Sequence, residues 1–143
     1  EFFYVNPLEV WPQSCKNNPA KKHVKTQRQK WFGVACCPPN IARTIASLSQ
    51  YVYSHSEDEI YVNLFVSSNA KFDVKGNHVE LVQNTSYPYA PNVHLTVKSE
   101  GEREWTLAVR IPGWCRGYKA FVDGKEINTA GMIQNNFLKI VTL

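Results

Sequence analysis

The spacing of apolar residues in this chain changes near residue 57, and that change limits the folds open to it. Before this point, the apolar residues recur every three or four positions, which places them on one face of a helix. The members of that face are Ile41, Ile45, Leu48 and Val52. After it, as in residues 60–66, apolar and polar residues alternate with the period of a half-buried strand. We therefore expect one helix followed by a β-rich segment.

The helix is expected to begin at Asn40 and to end between Tyr53 and Ser56. Asn is a favoured helix N-cap, and Pro38 and Pro39 stand directly ahead of it. Residues 1–40 are otherwise loop-like, because their prolines interrupt any long periodicity. One helix cannot bury its apolar face alone, so we expect that face to meet helices elsewhere in a longer chain rather than the β segment.

The second part of the chain contains several short alternating stretches separated by turn residues. Asp123-Gly124 is a hairpin signal, because both residues tolerate the positive φ of a tight turn. The predicted strands lie in residues 60–66, 72–74, 79–81, 93–97, 105–111 and 120–122. This pattern predicts a mainly β fold, an antiparallel β-sandwich. We place the domain boundary so that residues 1–56 form one domain and residues 57–143 the sandwich.

Composition and charge exclude two classes of partner. The chain has 143 residues, 43% of them hydrophobic and 20% charged, which suits a globular domain with a core of its own. No apolar run approaches the roughly 20 residues of a membrane-spanning helix. The net charge of +4 is concentrated in residues 16–30, but the aromatic residues lie outside that basic run. We therefore predict neither a membrane nor a nucleic-acid partner.

The two ends of the sequence resemble cut ends. The chain begins at Glu1 without a methionine or the features of a signal peptide, and residues 137–143 have the pattern of a strand. We expect the chain to be a piece of a larger protein, whose remainder is one of its partners. The sequence leaves the compartment open, with a slight preference for the cytoplasm.

The chemistry of the sequence is concentrated in the adjacent Cys36 and Cys37. They directly precede the predicted helix, where unpaired backbone N–H groups carry a partial positive charge and lower the pKa of a thiol. A thiolate is a nucleophile or a soft metal ligand. The residues alone leave alternatives open, since adjacent cysteines are more often ordinary buried residues. A disulfide from one of them to Cys15 or Cys115 is another alternative.

The segments around these cysteines resemble glycoside hydrolase family 127, the β-L-arabinofuranosidase family. The resemblance runs through nearly the whole chain and is sharpest in residues 29–43, where a Cys-Cys-Pro-Pro-Asn run follows Trp-Phe-Gly. The matching segments are Tyr4-Val5-Asn6-Pro7-Leu8-Glu9, Gln29-Lys30-Trp31-Phe32-Gly33, Cys36-Cys37-Pro38-Pro39-Asn40-Ile41-Ala42-Arg43 and Tyr61-Val62-Asn63-Leu64.

The resemblance implies a retaining glycosidase that cleaves β-L-arabinofuranosides with a zinc-bound cysteine. It makes Cys36 the nucleophile and a zinc ligand, and Cys37 a second zinc ligand. It implies that residues 1–56 end an (α/α)6 barrel, and that the acid/base glutamate, a zinc-binding glutamate and a third cysteine precede Glu1. The isolated chain is then expected to be inactive, with an arabinofuranose-containing oligosaccharide as the substrate of the whole protein.

Tyr4 is the remaining candidate, as a residue that lines the sugar pocket, because aromatic rings commonly flank furanose rings. A packed core tyrosine is the alternative. Two other functions stay open: a non-catalytic β-sandwich that binds carbohydrate or supports a neighbouring domain, and a structural zinc or redox module built from all four cysteines.

Overall fold

The computed structural model describes residues 1–4 and 10–142 and forms two compact units, Glu1–Ser47 and Leu48–Leu143. Residues 5–9, which carry most of the Tyr4-Val5-Asn6-Pro7-Leu8-Glu9 motif, lie outside the described residues, as does Leu143. Within the described ranges, no helix has both the length and the apolar character needed to cross a membrane. The predicted domain boundary at residue 56 stays a prediction.

The first unit consists of loops and short helices around one longer helix. These elements are α1 (Pro12–Lys16), a 3-10 turn (Pro19–Lys21) and α2 (Cys37–Ser47). A short antiparallel bridge joins Phe2 to Gln29, with N–H···O distances of 2.9 and 3.0 Å. This bridge holds the start of the chain beside the segment that leads into α2.

The predicted helix was wrong at both ends. It begins at Cys37, because the Asn40 N–H donates to the Cys36 carbonyl and Cys36 therefore occupies the capping position. Prolines are tolerated there, since first-turn residues have no helical partner for an N–H. The helix also breaks after Ser47, and a separate short helix, α3 (Ser49–Val52), belongs to the second unit.

The apolar face of the predicted helix is divided between the two units. Ile41 and Ile45 on α2 are exposed, as is Leu48, whereas Val52 on α3 is buried. Our expectation that this face meets helices elsewhere in a longer chain stays a prediction.

The second unit is β-rich, and its strands form two main sheets and a small hairpin. The strands are β1 (Tyr53–His55), β2 (Glu59–Val62), β3 (Ser68–Val74), β4 (Asn77–Thr85), β5 (Val93–Glu100), β6 (Trp105–Arg110), β7 (Phe121–Val122), β8 (Lys125–Glu126), β9 (Ile133–Gln134) and β10 (Phe137–Thr142). The larger sheet has the order β1-β2-β6-β10-β9, and the smaller has β3-β4-β5. Strands β7 and β8 form the hairpin, with Asp123 and Gly124 at positive φ as predicted.

The two sheets enclose one core, so the predicted mainly β sandwich is confirmed. The buried residues come from both sheets: Ile60, Val62, Val74, Val79, Leu81, Trp105 and Leu107. They alternate with outward-facing residues, because successive strand residues point to opposite faces. One pairing departs from the antiparallel prediction: β2 and β6 run parallel, with Ile60 opposite Leu107. Membership of residues 1–56 in an (α/α)6 barrel stays a prediction.

Candidate functional site

The candidate site lies in the first unit, where the start of α2 presents two cysteine side chains. Cys36 and Cys37 are both exposed, so the alternative of ordinary buried residues was wrong. All four cysteines lie in the described part of the chain and are free thiols, which also removes the disulfide alternative.

Tyr4 meets both cysteines through its hydroxyl group. Its oxygen lies 3.0 Å from Cys36 Sγ and 3.5 Å from Cys37 Sγ. The Cys36 backbone N–H also donates to it, over 3.2 Å. The cysteine pair and Tyr4, which the sequence analysis singled out separately, therefore form one cluster of three residues.

The Tyr4 ring is held by packing against the segment that precedes the cysteines. Its centroid lies 5.5 Å from that of Phe32, and Phe32 in turn packs at 5.3 Å against Phe2. Phe2 is fixed by the backbone bridge to Gln29. The packing of the Tyr4 ring thus sets the position of its hydroxyl, through contacts that do not involve the sulfurs.

The electrostatics of the site favour a thiolate at Cys36. The hydrogen bond from Tyr4, followed by that from Cys37, holds the pKa of the Cys36 thiol below its ordinary value of 9.0. The hydrogen bond to Cys36, followed by that to Cys37, raises the pKa of Tyr4 to about 12, because a proton held between its oxygen and a sulfur is harder to remove. The direction agrees with the sequence-based expectation for Cys36.

The cause of that lowered pKa differs from the one the sequence suggested. We expected free N–H groups at the start of the helix to supply the positive charge. In the structure, the Cys36 N–H is donated to Tyr4, and Pro38 and Pro39 have no N–H to offer. A tyrosine hydroxyl 32 positions away in the sequence is therefore the largest cause of the lowered pKa, and a backbone hydrogen bond at Cys36 is a smaller one.

Cys36 and Cys37 could supply two of the ligands of a metal ion. Two sulfurs that share one hydroxyl partner are neighbours, and paired thiolates suit zinc. Across the part of the chain that the structure describes, no group of three or more His, Cys, Asp or Glu side chains is arranged to hold a metal. The pair thus fits zinc as part of a four-ligand site, and the described residues lend no support to a zinc module built from all four cysteines.

The other candidates have surroundings of their own. Trp105 is buried in the sandwich core, as expected for a tryptophan there, whereas Trp31 and Trp114 are exposed. Cys115 Sγ is 3.4 Å from the Gly117 carbonyl, in the second unit. His78 pairs with Asp73 on the sheet surface. None of these contacts adds a residue to the cysteine pair.

Comparison with known proteins assigns both parts of the chain to one family. Residues 1–50 match the sequence model of the catalytic domain of GH127 β-L-arabinofuranosidases, and residues 59–142 match that of the GH127 middle domain. The chain belongs to glycoside hydrolase family 127. This confirms the family suggested by the Cys-Cys-Pro-Pro-Asn run.

Individual GH127 relatives resemble the chain over almost its full length. A non-reducing end β-L-arabinofuranosidase from Bifidobacterium longum subsp. longum is 36% identical to this chain. The alignment covers 99% of this chain and 21% of that relative. The crystal structure of a GH127 β-L-arabinofuranosidase from Geobacillus stearothermophilus T6 shares 45% identity at a TM-score of 0.81, over 99% of this chain and 22% of that one. A further GH127 β-arabinofuranosidase shares 32% identity at a TM-score of 0.68, over 82% of this chain and 21% of that one.

These relatives are much longer than this chain. It spans about a fifth of their length, and its residues 1–50 and 59–142 match the catalytic and the middle domain of the family. The Cys36–Cys37 pair lies in the catalytic part, at residues 1–50.

Proposed function

We propose that this chain is part of a retaining glycoside hydrolase that cleaves β-L-arabinofuranosides, with Cys36 as its nucleophile. The observation that carries the proposal is the exposed Cys36 thiol, hydrogen-bonded to Tyr4 at 3.0 Å within a segment of the GH127 catalytic domain. A thiol whose pKa is lowered and whose sulfur is accessible has the properties of a nucleophile.

The reaction is a double displacement. The Cys36 thiolate attacks the anomeric carbon, so that a C–S bond forms while the glycosidic C–O bond breaks. A carboxylic acid in another part of the protein gives its proton to the leaving oxygen. The resulting carboxylate then takes a proton from water, which attacks the same carbon and releases Cys36 as a thiolate. Two inversions at one carbon retain its configuration.

Zinc fits this proposal as the group that keeps the two thiols deprotonated. Cys36 and Cys37 would hold it, together with ligands from other parts of the protein, a glutamate and a third cysteine by family resemblance. The contribution of this chain is to present the two sulfurs side by side at the start of α2.

The β-sandwich has a supporting role in the proposal. Residues 59–142 belong to the middle domain of the family, and their buried core comes from both sheets. In this arrangement the first unit supplies catalytic residues and the second unit supplies a folded neighbouring domain. The substrate is an arabinofuranose-containing oligosaccharide.

The experiment compares single cysteine variants in a longer protein that contains these residues and the rest of a GH127 catalytic domain. Cys36→Ser is expected to lower the turnover of an aryl β-L-arabinofuranoside by roughly a thousandfold or more, because the nucleophile is lost. Cys115→Ser, in the sandwich unit, is the matched control and should keep the wild-type rate. Full activity in Cys36→Ser would remove Cys36 from the mechanism.

A further inference from the structure

The Tyr4 hydroxyl has three partners and only one proton. A phenolic oxygen donates one hydrogen bond and accepts at most two. The Cys36 backbone N–H can only donate, so its bond ends on the oxygen of Tyr4, over 3.2 Å. The proton of Tyr4 is then directed to Cys36 Sγ, its nearest partner at 3.0 Å.

The arrangement makes the two neighbouring sulfurs unequal. The oxygen of Tyr4 lies 3.0 Å from Cys36 Sγ but 3.5 Å from Cys37 Sγ. Cys36 is also bound to Tyr4 at a second point, its backbone N–H. Two contacts to one oxygen restrain both the main chain and the side chain of Cys36, while Cys37 meets that oxygen only once and at a longer distance.

The oxygen that makes these contacts is itself held in place. The Tyr4 ring packs on Phe32, and Phe32 packs on Phe2, which is paired with Gln29 through the backbone. Phe3 adds a second attachment, since the Arg28 guanidinium lies over its ring at 5.1 Å. The start of the chain is therefore fastened beside the cysteines by contacts that do not depend on them.

We infer that Tyr4 is a positioning residue that selects Cys36, rather than Cys37, as the sulfur aimed at the substrate. The inference rests on the proposed function, in which one of the two sulfurs attacks the sugar. Its hydroxyl acts through Cys36, which it contacts both at the sulfur and at the backbone N–H. This differs from the sugar-binding role that the sequence suggested for Tyr4.

The contact itself is tested on the 143-residue chain without metal, by measuring amide hydrogen exchange at Cys36 and Cys37. Tyr4→Phe keeps the ring and its packing but removes the oxygen, so the Cys36 amide should exchange about threefold faster or more relative to Cys37. Tyr51→Phe, which removes an exposed tyrosine hydroxyl on α3, is the matched control and should leave that ratio unchanged. An unchanged ratio in Tyr4→Phe would overturn the inference.

The consequence for catalysis is tested with the same variants in a longer protein that contains the rest of the catalytic domain. With Tyr4→Phe, kcat should fall about tenfold while KM stays within about twofold, because the attacking sulfur is less well aimed and the sugar loses no contact. A rise in KM with kcat unchanged would overturn the inference and return Tyr4 to the sugar pocket. Failure of the proposed function itself is distinguishable, since it would appear as full activity in Cys36→Ser.

Discussion

The hydroxyl of Tyr4 lies 3.0 Å from the sulfur of Cys36, although the two residues are 32 positions apart in the sequence. The contact joins the start of the chain to the residue that caps α2 (Cys37–Ser47) within one compact unit. Its consequence is chemical, because a hydroxyl that donates to a sulfur stabilises the thiolate form. The environment of the proposed nucleophile is thus made by tertiary packing as well as by the helix.

Zinc content gives a first prediction, made for a longer protein that includes the whole catalytic domain. We expect about one zinc per chain, bound in part by Cys37, because thiolates are strong zinc ligands. Cys37→Ser should weaken zinc binding at least about 100-fold. Losing a residue that only hydrogen-bonds to a metal ligand already costs up to about 100-fold in metal affinity, and losing the ligand itself costs no less. Metal analysis after dialysis measures this, with Cys115→Ser as the control. Equal zinc content in wild type and Cys37→Ser would contradict the prediction.

The isolated 143-residue chain should not hydrolyse an aryl β-L-arabinofuranoside. Cleavage needs a carboxylic acid near the glycosidic oxygen, and we assign that acid to another part of the protein. Release of the chromophore, compared with a blank and with a longer active protein, is the measurement. Turnover by the isolated chain that disappears in Cys36→Ser would show that it carries its own acid.

The stability of the sandwich should depend on pH through Glu59 on β2 and Lys139 on β10. Their charged groups are 2.5 Å apart and about four-fifths buried, and Tyr61 also donates to Glu59. The hydrogen bond from Lys139, followed by that from Tyr61, holds the pKa of Glu59 below its ordinary value of 4.5. A carboxyl whose pKa is lower in the folded than in the unfolded chain stabilises the fold at pH values above its pKa in the unfolded chain. This contribution is lost as the pH falls through its pKa in the folded chain.

Glu59→Gln should therefore lower the free energy of unfolding by about 1–2 kcal/mol at neutral pH. The difference from wild type should shrink as the pH falls from 4.5 towards the lowered pKa of the folded state, below which the wild-type carboxyl is protonated as well. Urea denaturation at several pH values measures it. A difference that stays constant down to acid pH would mean that charge is not its cause.

Gly101, directly after β5, should tolerate no side chain. It has a φ of +143°, and a Cβ there would overlap Oδ1 of Asn77. Asn77 is buried and bonds to the backbone of Arg103 at 2.8 and 3.2 Å, so it cannot move aside. Gly101→Ala should cost roughly 2–4 kcal/mol of stability through backbone strain and overpacking.

Gly113 offers the matched control for this prediction. Nothing lies within 4 Å of a Cβ at that position, so Gly113→Ala should change stability by no more than about 0.5 kcal/mol. Denaturation followed by the fluorescence of the buried Trp105 reports on the sandwich in both variants. Equal stability of Gly101→Ala and wild type would refute the steric account.

The sequence allowed the core positions of the sandwich to be predicted, but not its strand pairing. Period-two alternation identifies which residues face inward, and Ile60, Val62, Leu81 and Trp105 do. The turn at Asp123-Gly124 could be predicted because few residue pairs accept positive φ. The parallel pairing of β2 with β6 was missed, because alternation carries no information on which strands become neighbours.

The cysteine pair could be found from sequence, whereas its surroundings could not. Cys36 and Cys37 stand out as adjacent thiols before a helix, but the helix start was misplaced at Asn40. Prolines ahead of a helix and prolines within its first turn look the same in a sequence. The contact with Tyr4 depends on the path of the chain between residues 4 and 36, which no local pattern specifies.

The most direct test of the account is to find which side chain carries the sugar during turnover. A longer protein with the complete catalytic domain is mixed with an aryl β-L-arabinofuranoside, quenched in acid within one turnover and digested for peptide mass spectrometry. The account predicts one pentosyl group attached through sulfur to Cys36, and none in Cys36→Ser. A pentosyl group on Cys37 or on a carboxylate, with Cys36 unmodified, would contradict it.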